Sequence, residues 1–106
     1  MITLCIRYTL DPNKLRDFEA YAKALAMPIE RCGGKPAGYY LPTKFAGSMN
    51  VATGLIDFPS LAAYEKYREK LGADPEAAEI TRRVETSAAI LNEDRSIVSC
   101  VPESRR

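Results

Sequence analysis

Apolar residues occupy the even positions from Ile2 to Tyr8, and mostly polar residues occupy the odd positions from Thr3 to Thr9. A period of two with β-branched side chains predicts a β-strand over residues 2–9. Three later segments rich in aromatic and β-branched residues predict further strands: 35–42, 50–58 and 95–101.

Two glycine-containing features interrupt the predicted strands. Residues 43–48 are polar and predict a loop. Gly54 lies inside the third strand, where a glycine weakens the strand. It therefore predicts a bulge or a backbone that another group approaches closely.

The first predicted helix follows Asp11-Pro12, an N-cap residue with proline at the first helical position. Its apolar stripe repeats at spacings of three and four: Leu15, Phe18, Ala22, Leu25 and Ile29. Cys32-Gly33-Gly34 ends the helix because glycine accepts positive φ. Pro28 predicts a kink or break in the last turn.

Two shorter helices are predicted between the third and fourth strands. Pro59-Ser60 opens the first of them, and Gly72 interrupts it. Asp74-Pro75 opens the second with the same cap and proline as before. The expected core-facing positions are Leu61, Tyr64, Arg68 and Leu71 on the first, and Ala77, Ile80 or Thr81, Val84, Ala88 and Leu91 on the second.

The predicted order β-α-β-β-α-α-β indicates an α+β, ferredoxin-like βαββαβ domain whose second helix is split in two. We expect one domain over residues 1–106, with a four-stranded antiparallel sheet in the order 4-1-3-2. Both helical arms should cover the same face. Residues 102–106 are expected to form a frayed tail.

Apolar residues lie on both sides of the third strand, with Val51 and Leu55 opposed to Ala52 and Ile56. Helices of this topology cover only one face of the sheet, whereas strands that are apolar on both sides are usually buried on both sides. We therefore expect a homodimer, with a larger assembly left open.

Composition and charge exclude several classes of protein. The chain is 46% hydrophobic, which excludes disorder, and its 15 basic and 14 acidic residues provide no basic surface for nucleic acid or an anionic membrane. No apolar run approaches the ~18 residues of a membrane span, and the N-terminus does not resemble a signal peptide. The expected location is cytoplasmic.

The chain contains 0 histidines, which removes the commonest base and metal ligand. Its three cysteines, Cys5, Cys32 and Cys100, are scattered, so we expect free thiols and no metal site. No phosphate-binding glycine motif is present, and no cofactor is predicted.

An arginine within an apolar strand, Arg7, must pair with a carboxylate, stack on a ring or face a ligand. Tyrosines suit either an interface or the wall of a pocket. The candidate ligand-binding residues are Arg7, Tyr8, Tyr39, Tyr40, Asn50, Tyr64 and Arg68. For Arg7 and the tyrosines the competing interpretation is structural pairing at the core edge or the dimer interface; for Asn50 it is a turn.

Residues 32–42 (CGGKPAGYYLP), 50–58 (NVATGLIDF) and 60–68 (SLAAYEKYR) together resemble the NIPSNAP family. Arg7-Tyr8-Thr9-Leu10 and Glu93-Asp94-Arg95 are similar to that family's first and last strands. The resemblance implies the dimeric α/β-barrel fold, but it supplies no established catalytic residues. Cys32 and Thr43-Lys44-Phe45 depart from the pattern, which has histidine there.

The leading hypothesis for function is a NIPSNAP-like protein that binds a small molecule in a pocket between sheet and helices. One alternative is a non-catalytic oligomeric or interaction module. Another is an enzyme similar to cofactor-free monooxygenases or isomerases, so catalysis is left open. An open pocket with Arg7 or tyrosine hydroxyls directed inward favours the first hypothesis, and a closed, packed layer favours the interaction module.

Overall fold

The computed structural model describes residues 1–102, and every structural statement below concerns this part of the chain. The elements follow the predicted order: β1 Ile2–Leu10, α1 Leu15–Arg31, β2 Lys35–Tyr40, β3 Val51–Phe58, α2 Leu61–Gly72, α3 Pro75–Ser87 and β4 Ile90–Val98. The four strands form one antiparallel sheet in the order β2-β3-β1-β4. The ferredoxin-like fold, the split second helix and the sheet order are therefore confirmed.

The core lies between one face of the sheet and the helices. β1 contributes its even-numbered residues to this core, and Phe18 and Ile29 of α1 are fully buried against them. The register pairs Leu4 with Ile56 and Tyr8 with Ala52, which brings Ile56 and Ala52 to the same face. We call it the helix-covered face.

The other face has no helix over it, and we call it the open face. Thr9 pairs with Val51 and Cys5 with Leu55, so Val51 and Leu55 lie there, opposite to Ala52 and Ile56 as predicted. The open face is less apolar than the sequence pattern indicated, because β4 adds Asn92, Asp94 and Ser96 to it. A buried hydrogen bond of 2.6 Å from the Thr3 hydroxyl to Asp57 lies on the same face.

The start of α1 differs from the prediction. The Asp11 carboxylate accepts a hydrogen bond from the Asn13 N–H at 2.9 Å, and the Asp11 carbonyl accepts one from Lys14. Asp11 thus closes a turn, and the helix begins at Leu15. A short polar side chain can accept a hydrogen bond from the backbone either in a turn or at a helix N-terminus. The Asp11 carboxylate accepts its bond in the turn.

The end of α1 is as predicted at the glycines, whereas Pro28 does not break the helix. Gly33 has φ of +106°, and its N–H bonds to Glu30 while Gly34 N–H bonds to Ile29, which is a Schellman motif. Pro28 is buried and the helix runs past it to Arg31, so the predicted break does not occur.

The predicted N-cap of α3 is confirmed, and Ser60, predicted to open α2, also caps its helix. Ser60 accepts from Ala63 N–H at 3.1 Å, and Asp74 accepts from Ala77 N–H at 3.0 Å. The buried faces differ in part, because Tyr67 rather than Leu61 anchors α2. On α3, Ala77, Ile80 and Val84 are buried as expected.

The chain leaves α3 earlier than predicted. Ala88 adopts a left-handed conformation with φ of 57° and is exposed, and Leu91 belongs to β4 with 61% of its surface exposed. β4 consequently begins five residues before the predicted position and ends at Val98, before Val101. Most of the expected frayed tail, residues 103–106, lies outside the described residues.

The sequence predicted either a bulge at Gly54 or a backbone that another group approaches closely, and the structure shows the close approach. A Cβ atom at Gly54 would lie 2.6 Å from Cε1 of Tyr39. The pairing of β3 with β1 continues through Gly54 without a shift, so there is no bulge at that position.

Candidate functional site

A cavity of about 570 Å³ lies between the helix-covered face of the sheet and the three helices. This volume is within the range typical of small-molecule sites. Its apolar wall includes Leu4, Ile6 and Ile56 from the sheet and Leu25, Leu71 and Ala77 from the helices. An unfilled space of this size beside a packed core requires explanation, since protein interiors are normally close-packed.

Four tyrosines from four different elements line the cavity: Tyr8, Tyr21, Tyr39 and Tyr67. The rings of Tyr8 and Tyr39 lie 6.2 Å apart, and Phe18 packs against Tyr8 at 4.7 Å. The side chain of Tyr39 can occupy this position because Gly54 on the neighbouring strand leaves room for its ring.

Burial raises the pKa of the phenols of Tyr8, Tyr21, Tyr39 and Tyr67, because the ionised form loses its hydration. For Tyr8, the neighbouring phenols of Tyr39 and Tyr21 raise the pKa further. All four phenols therefore stay protonated at neutral pH. The phenols of Tyr8 and Tyr39 share a hydrogen bond, and those of Tyr21 and Tyr67 can donate to a ligand. Protonated phenols cannot act as bases.

One ion pair faces the tyrosines from β4. Glu93 pairs with Tyr8 in the sheet register and Arg95 with Ile6, so both side chains lie on the helix-covered face. Nη2 of Arg95 lies 3.2 Å from Oε2 of Glu93. Burial lowers the pKa of Arg95, but the Glu93 carboxylate outweighs it and holds that pKa above its ordinary value.

Charged residues of the helices complete the cavity lining: Arg68 on α2, and Arg82 and Glu85 on α3. Arg82 is held by Glu79 at 2.6 Å, one turn away on the same helix. Within residues 1–102, the Arg68 side chain has no hydrogen bond or ion pair, and it is exposed.

Three of the seven residues predicted to bind a ligand line this cavity: Tyr8, Tyr39 and Arg68. Tyr64 lies next to it, packed edge-on against Phe58 at 5.3 Å. Asn50 has a structural role, which was the competing interpretation of this residue. Its side-chain amide donates to the Leu10 carbonyl at 3.1 Å.

Arg7 and Tyr40 lie away from the cavity. The register pairs Arg7 with Thr53 and Asp94 on the open face, and Tyr40 is on the same face with 57% of its surface exposed. Arg7 is exposed, and its side chain has no partner among residues 1–102. The interpretation of Arg7 as part of a pocket wall is therefore corrected, because its strand position directs it to the opposite face.

The sequence-based candidates omitted Tyr21, Tyr67, Glu93 and Arg95. A signal for Glu93 and Arg95 was available, since they are spaced by two in a strand beside the central strand. Two charged residues on the helix-covered face of a sheet indicate a site, because such residues are rarely placed in a core without a reason. The signal was missed because the strand was predicted to begin only at Arg95.

A shallower apolar groove of about 450 Å³ lies on the other side of Tyr39, between α1 and β2. Phe18, Ala22, Pro36 and Leu41 line it, with Glu19 and Lys23 at its rim. The described residues contain no group of three or more His, Cys, Asp or Glu that could hold a metal ion. Cys5 and Cys32 are free thiols.

The sequence profile of one protein family, NIPSNAP, matches residues 3–105, which is nearly the whole chain. The chain belongs to the NIPSNAP family. The resemblance carried by residues 32–42, 50–58 and 60–68 is thereby confirmed. No curated protein matches the sequence significantly. No helix within residues 1–102 is long and apolar enough to cross a membrane.

Solved structures agree on the fold of this NIPSNAP protein. A NIPSNAP family protein of unknown function from Agrobacterium tumefaciens superposes with a TM-score of 0.86 at 18% identity, covering 99% of this chain and 92% of that one. An uncharacterised NIPSNAP-like domain protein from Burkholderia xenovorans gives 0.81 at 24% identity, covering 99% and 89%.

The fold extends beyond the family. A candidate antibiotic biosynthesis monooxygenase from Nitrosomonas europaea superposes with a TM-score of 0.70 at 9% identity, covering 95% of this chain and 99% of that one. Identity this low establishes a shared fold and carries no residue roles.

Proposed function

We propose that this NIPSNAP protein binds a small, mostly apolar molecule in the cavity between its sheet and its helices. The observation that carries the proposal is the convergence of four protonated tyrosines on an open space of about 570 Å³. Protonated phenols at an apolar wall suit a ligand with a hydrophobic body and one or two oxygen acceptors.

An open cavity with inward tyrosines supports this proposal over the interaction module. A filled, closed layer of sheet and helices would have favoured that module. Of the inward groups named by this hypothesis, the tyrosines are present in the cavity and Arg7 is not, since Arg7 lies on the other face.

A cofactor-free oxygenase or isomerase would need a base to take a proton from its substrate. Glu93 is the carboxylate that faces the tyrosines, and Arg95 already engages it. A carboxylate held by Arg95 in this way is not free to approach a substrate proton. The arrangement thus supports binding more directly than it supports any one reaction.

The test is a thermal-shift screen of small molecules against the wild type and a variant with a filled cavity. Thr81 lines the cavity on α3, so Thr81→Trp should occupy it. A ligand that binds only the folded state raises Tm, and the cavity variant should lose that rise.

Thr86→Trp is the matched control, since Thr86 lies on the same helix and is exposed outside the cavity. Ligands should stabilise this control as they stabilise the wild type. Equal stabilisation of all three proteins would show that the ligands bind elsewhere, and the proposal would be abandoned.

The proposal includes a homodimer formed through the open face, while a larger assembly stays open. The open face carries Val51 and Leu55 beside Arg7 and Asp94, a mixture of apolar and oppositely charged groups. A two-fold axis brings such a surface onto its own copy, where an arginine of one subunit can meet an aspartate of the other. Covering roughly 800 Å² per subunit would be typical of a stable dimer.

A further inference from the structure

We infer that the ligand of this cavity is an anion, with an acidic group held at the α2 end by Arg68 and an apolar body inside. This inference rests on the proposed function and names the chemical class of its ligand. It depends on how the charges of the cavity lining are partnered.

The cavity lining carries three arginines and two glutamates. Arg82 is bound by Glu79 at 2.6 Å, and Arg95 is bound by Glu93 at 3.2 Å. These two guanidinium groups are already compensated by carboxylates. Arg68 is the lining cation with no side-chain partner among residues 1–102.

The hydrogen-bonding groups inside the cavity also favour a ligand that accepts hydrogen bonds. The phenols of Tyr21 and Tyr67, which lie in the cavity lining, are protonated at neutral pH and can donate, whereas those of Tyr8 and Tyr39 share a hydrogen bond. Arg95 has five N–H donors, of which Nε and Nη2 contact one oxygen of Glu93 at 3.4 and 3.2 Å. A ligand with several oxygen acceptors can use the remaining donors.

Glu85 is a carboxylate of the cavity lining that would repel an anionic ligand, so its position must be compared with that of Arg68. It lies in the last turn of α3, and with Ile90 and Glu93 it also lines a neighbouring depression next to the start of β4. Arg68 instead projects from α2, beside Leu71 and Gly72. We therefore place the acidic group of the ligand at the α2 end, away from Glu85.

Two fluorescent dyes provide a matched test: anilinonaphthalene sulfonate and its neutral analogue phenylnaphthylamine, which lacks the sulfonate. Both have the same apolar rings, so their difference in Kd measures the contribution of the negative charge. Arg68→Gln removes the proposed partner. Lys66→Gln is the control, since Lys66 is exposed on the same helix outside the cavity lining and makes the same change in net charge.

We expect Arg68→Gln to weaken binding of the sulfonate dye by about two- to fivefold, as for other exposed ion pairs. Binding of the neutral dye should not change, and Lys66→Gln should affect neither dye. Raising the salt concentration should reduce the affinity of the wild type for the sulfonate dye and reduce the difference from Arg68→Gln. Glu85→Gln should not weaken either dye.

The inference is overturned if Arg68→Gln binds the sulfonate dye as tightly as Lys66→Gln does. A different result would contradict the proposed function itself. In that case the cavity-filling variants Thr81→Trp and Ala78→Trp would bind both dyes with the Kd of the wild type. Circular dichroism confirms that each variant is folded. Absence of binding of both dyes to the wild type would count against the proposed function and the inference together.

Discussion

Tyr39 contributes to both the packing of the sheet and the wall of the cavity. Its ring contacts the backbone at Gly54, lies 6.2 Å from the ring of Tyr8 and 6.3 Å from that of Phe18. The absence of a side chain at Gly54 is what lets Tyr39 lie over β3 and point its phenol into the cavity. One glycine in a strand thus determines the position of the Tyr39 phenol in the wall of the cavity.

Replacing Gly54 with alanine tests this contact. The new Cβ would lie 2.6 Å from Cε1 of Tyr39, so we expect Gly54→Ala to lower the free energy of unfolding by about 1–3 kcal/mol. Urea denaturation measures this change. Gly72→Ala is the control, because no atom lies within 4 Å of its added Cβ and alanine favours the helix. In a Tyr39→Leu background the cost of Gly54→Ala should fall, and an unchanged cost would contradict the steric explanation.

The raised pKa values of the cavity tyrosines predict a loss of stability in alkali. The folded protein holds these phenolic protons more tightly than the unfolded chain, which releases them near pH 10. The free energy of unfolding should therefore be insensitive to these groups below about pH 9 and fall as the pH rises above about 10.

Urea unfolding between about pH 8 and pH 11, followed together with tyrosinate absorbance, checks this expectation. Tyr21→Phe removes one of the shifted groups and should make the alkaline fall in stability shallower. A Tyr21→Phe protein with the same dependence on pH as the wild type would show that Tyr21 ionises as readily in the folded state as in the unfolded chain.

A side chain caps the start of α2 and of α3. Asp74 illustrates this, because one of its carboxylate oxygens accepts from Ala77 N–H at 3.0 Å and the other accepts from Arg31 at 2.7 Å. It therefore starts α3 and fixes that helix to the end of α1. The bond from Ala77, followed by the one from Arg31, lowers the pKa of Asp74 below its ordinary value.

Two substitutions separate the cap from the ion pair. We expect Asp74→Asn to lower Tm slightly, since the amide oxygen keeps the cap and the charge is lost, and Asp74→Ala to lower it by several degrees. Because the folded-state pKa is lowered, the stabilisation should be complete above about pH 4 and disappear as the pH falls further. Thermal melts at neutral and acidic pH measure both effects, and equal Tm values for the two variants would rule out the cap.

Local sequence signals predicted most of the fold and only part of the site. The caps at Ser60 and Asp74 and the end of α1 at Gly33 depend on side chains and glycines within a few residues, so the sequence alone reveals them. Asp11 was misassigned because a turn and a helix compete for the same carboxylate.

The site was harder to predict because its members meet only across the sheet. Tyr21 and Tyr8 come from elements that pack together in three dimensions, and no spacing along the chain links them. Glu93 and Arg95 lie in an edge strand whose polar composition hid its alternation.

At the scale of the whole molecule, the sheet separates two surfaces with different uses. The helix-covered face forms the core and the cavity, and the open face is left to water or to a second copy. Residues next to each other in β3 belong to different surfaces: Val51 lies on the open face, and Ala52, at 1% exposure, lies in the core. The two surfaces can therefore be perturbed separately by substituting neighbouring residues.

This separation gives the sharpest test of the proposed homodimer. Val51→Glu introduces a charge on the open face, so we expect a folded protein that elutes as a monomer, or aggregates, where the wild type elutes as a dimer. Ala52→Glu places the same charge in the core without a partner and should unfold the protein, because burying an unpaired carboxylate is strongly unfavourable. Light scattering coupled to size exclusion gives the mass, and circular dichroism gives the folded state. A wild type that is a well-folded monomer at micromolar concentration, with Val51→Glu indistinguishable from it, would mean that the open face stays in water and that the dimer does not form.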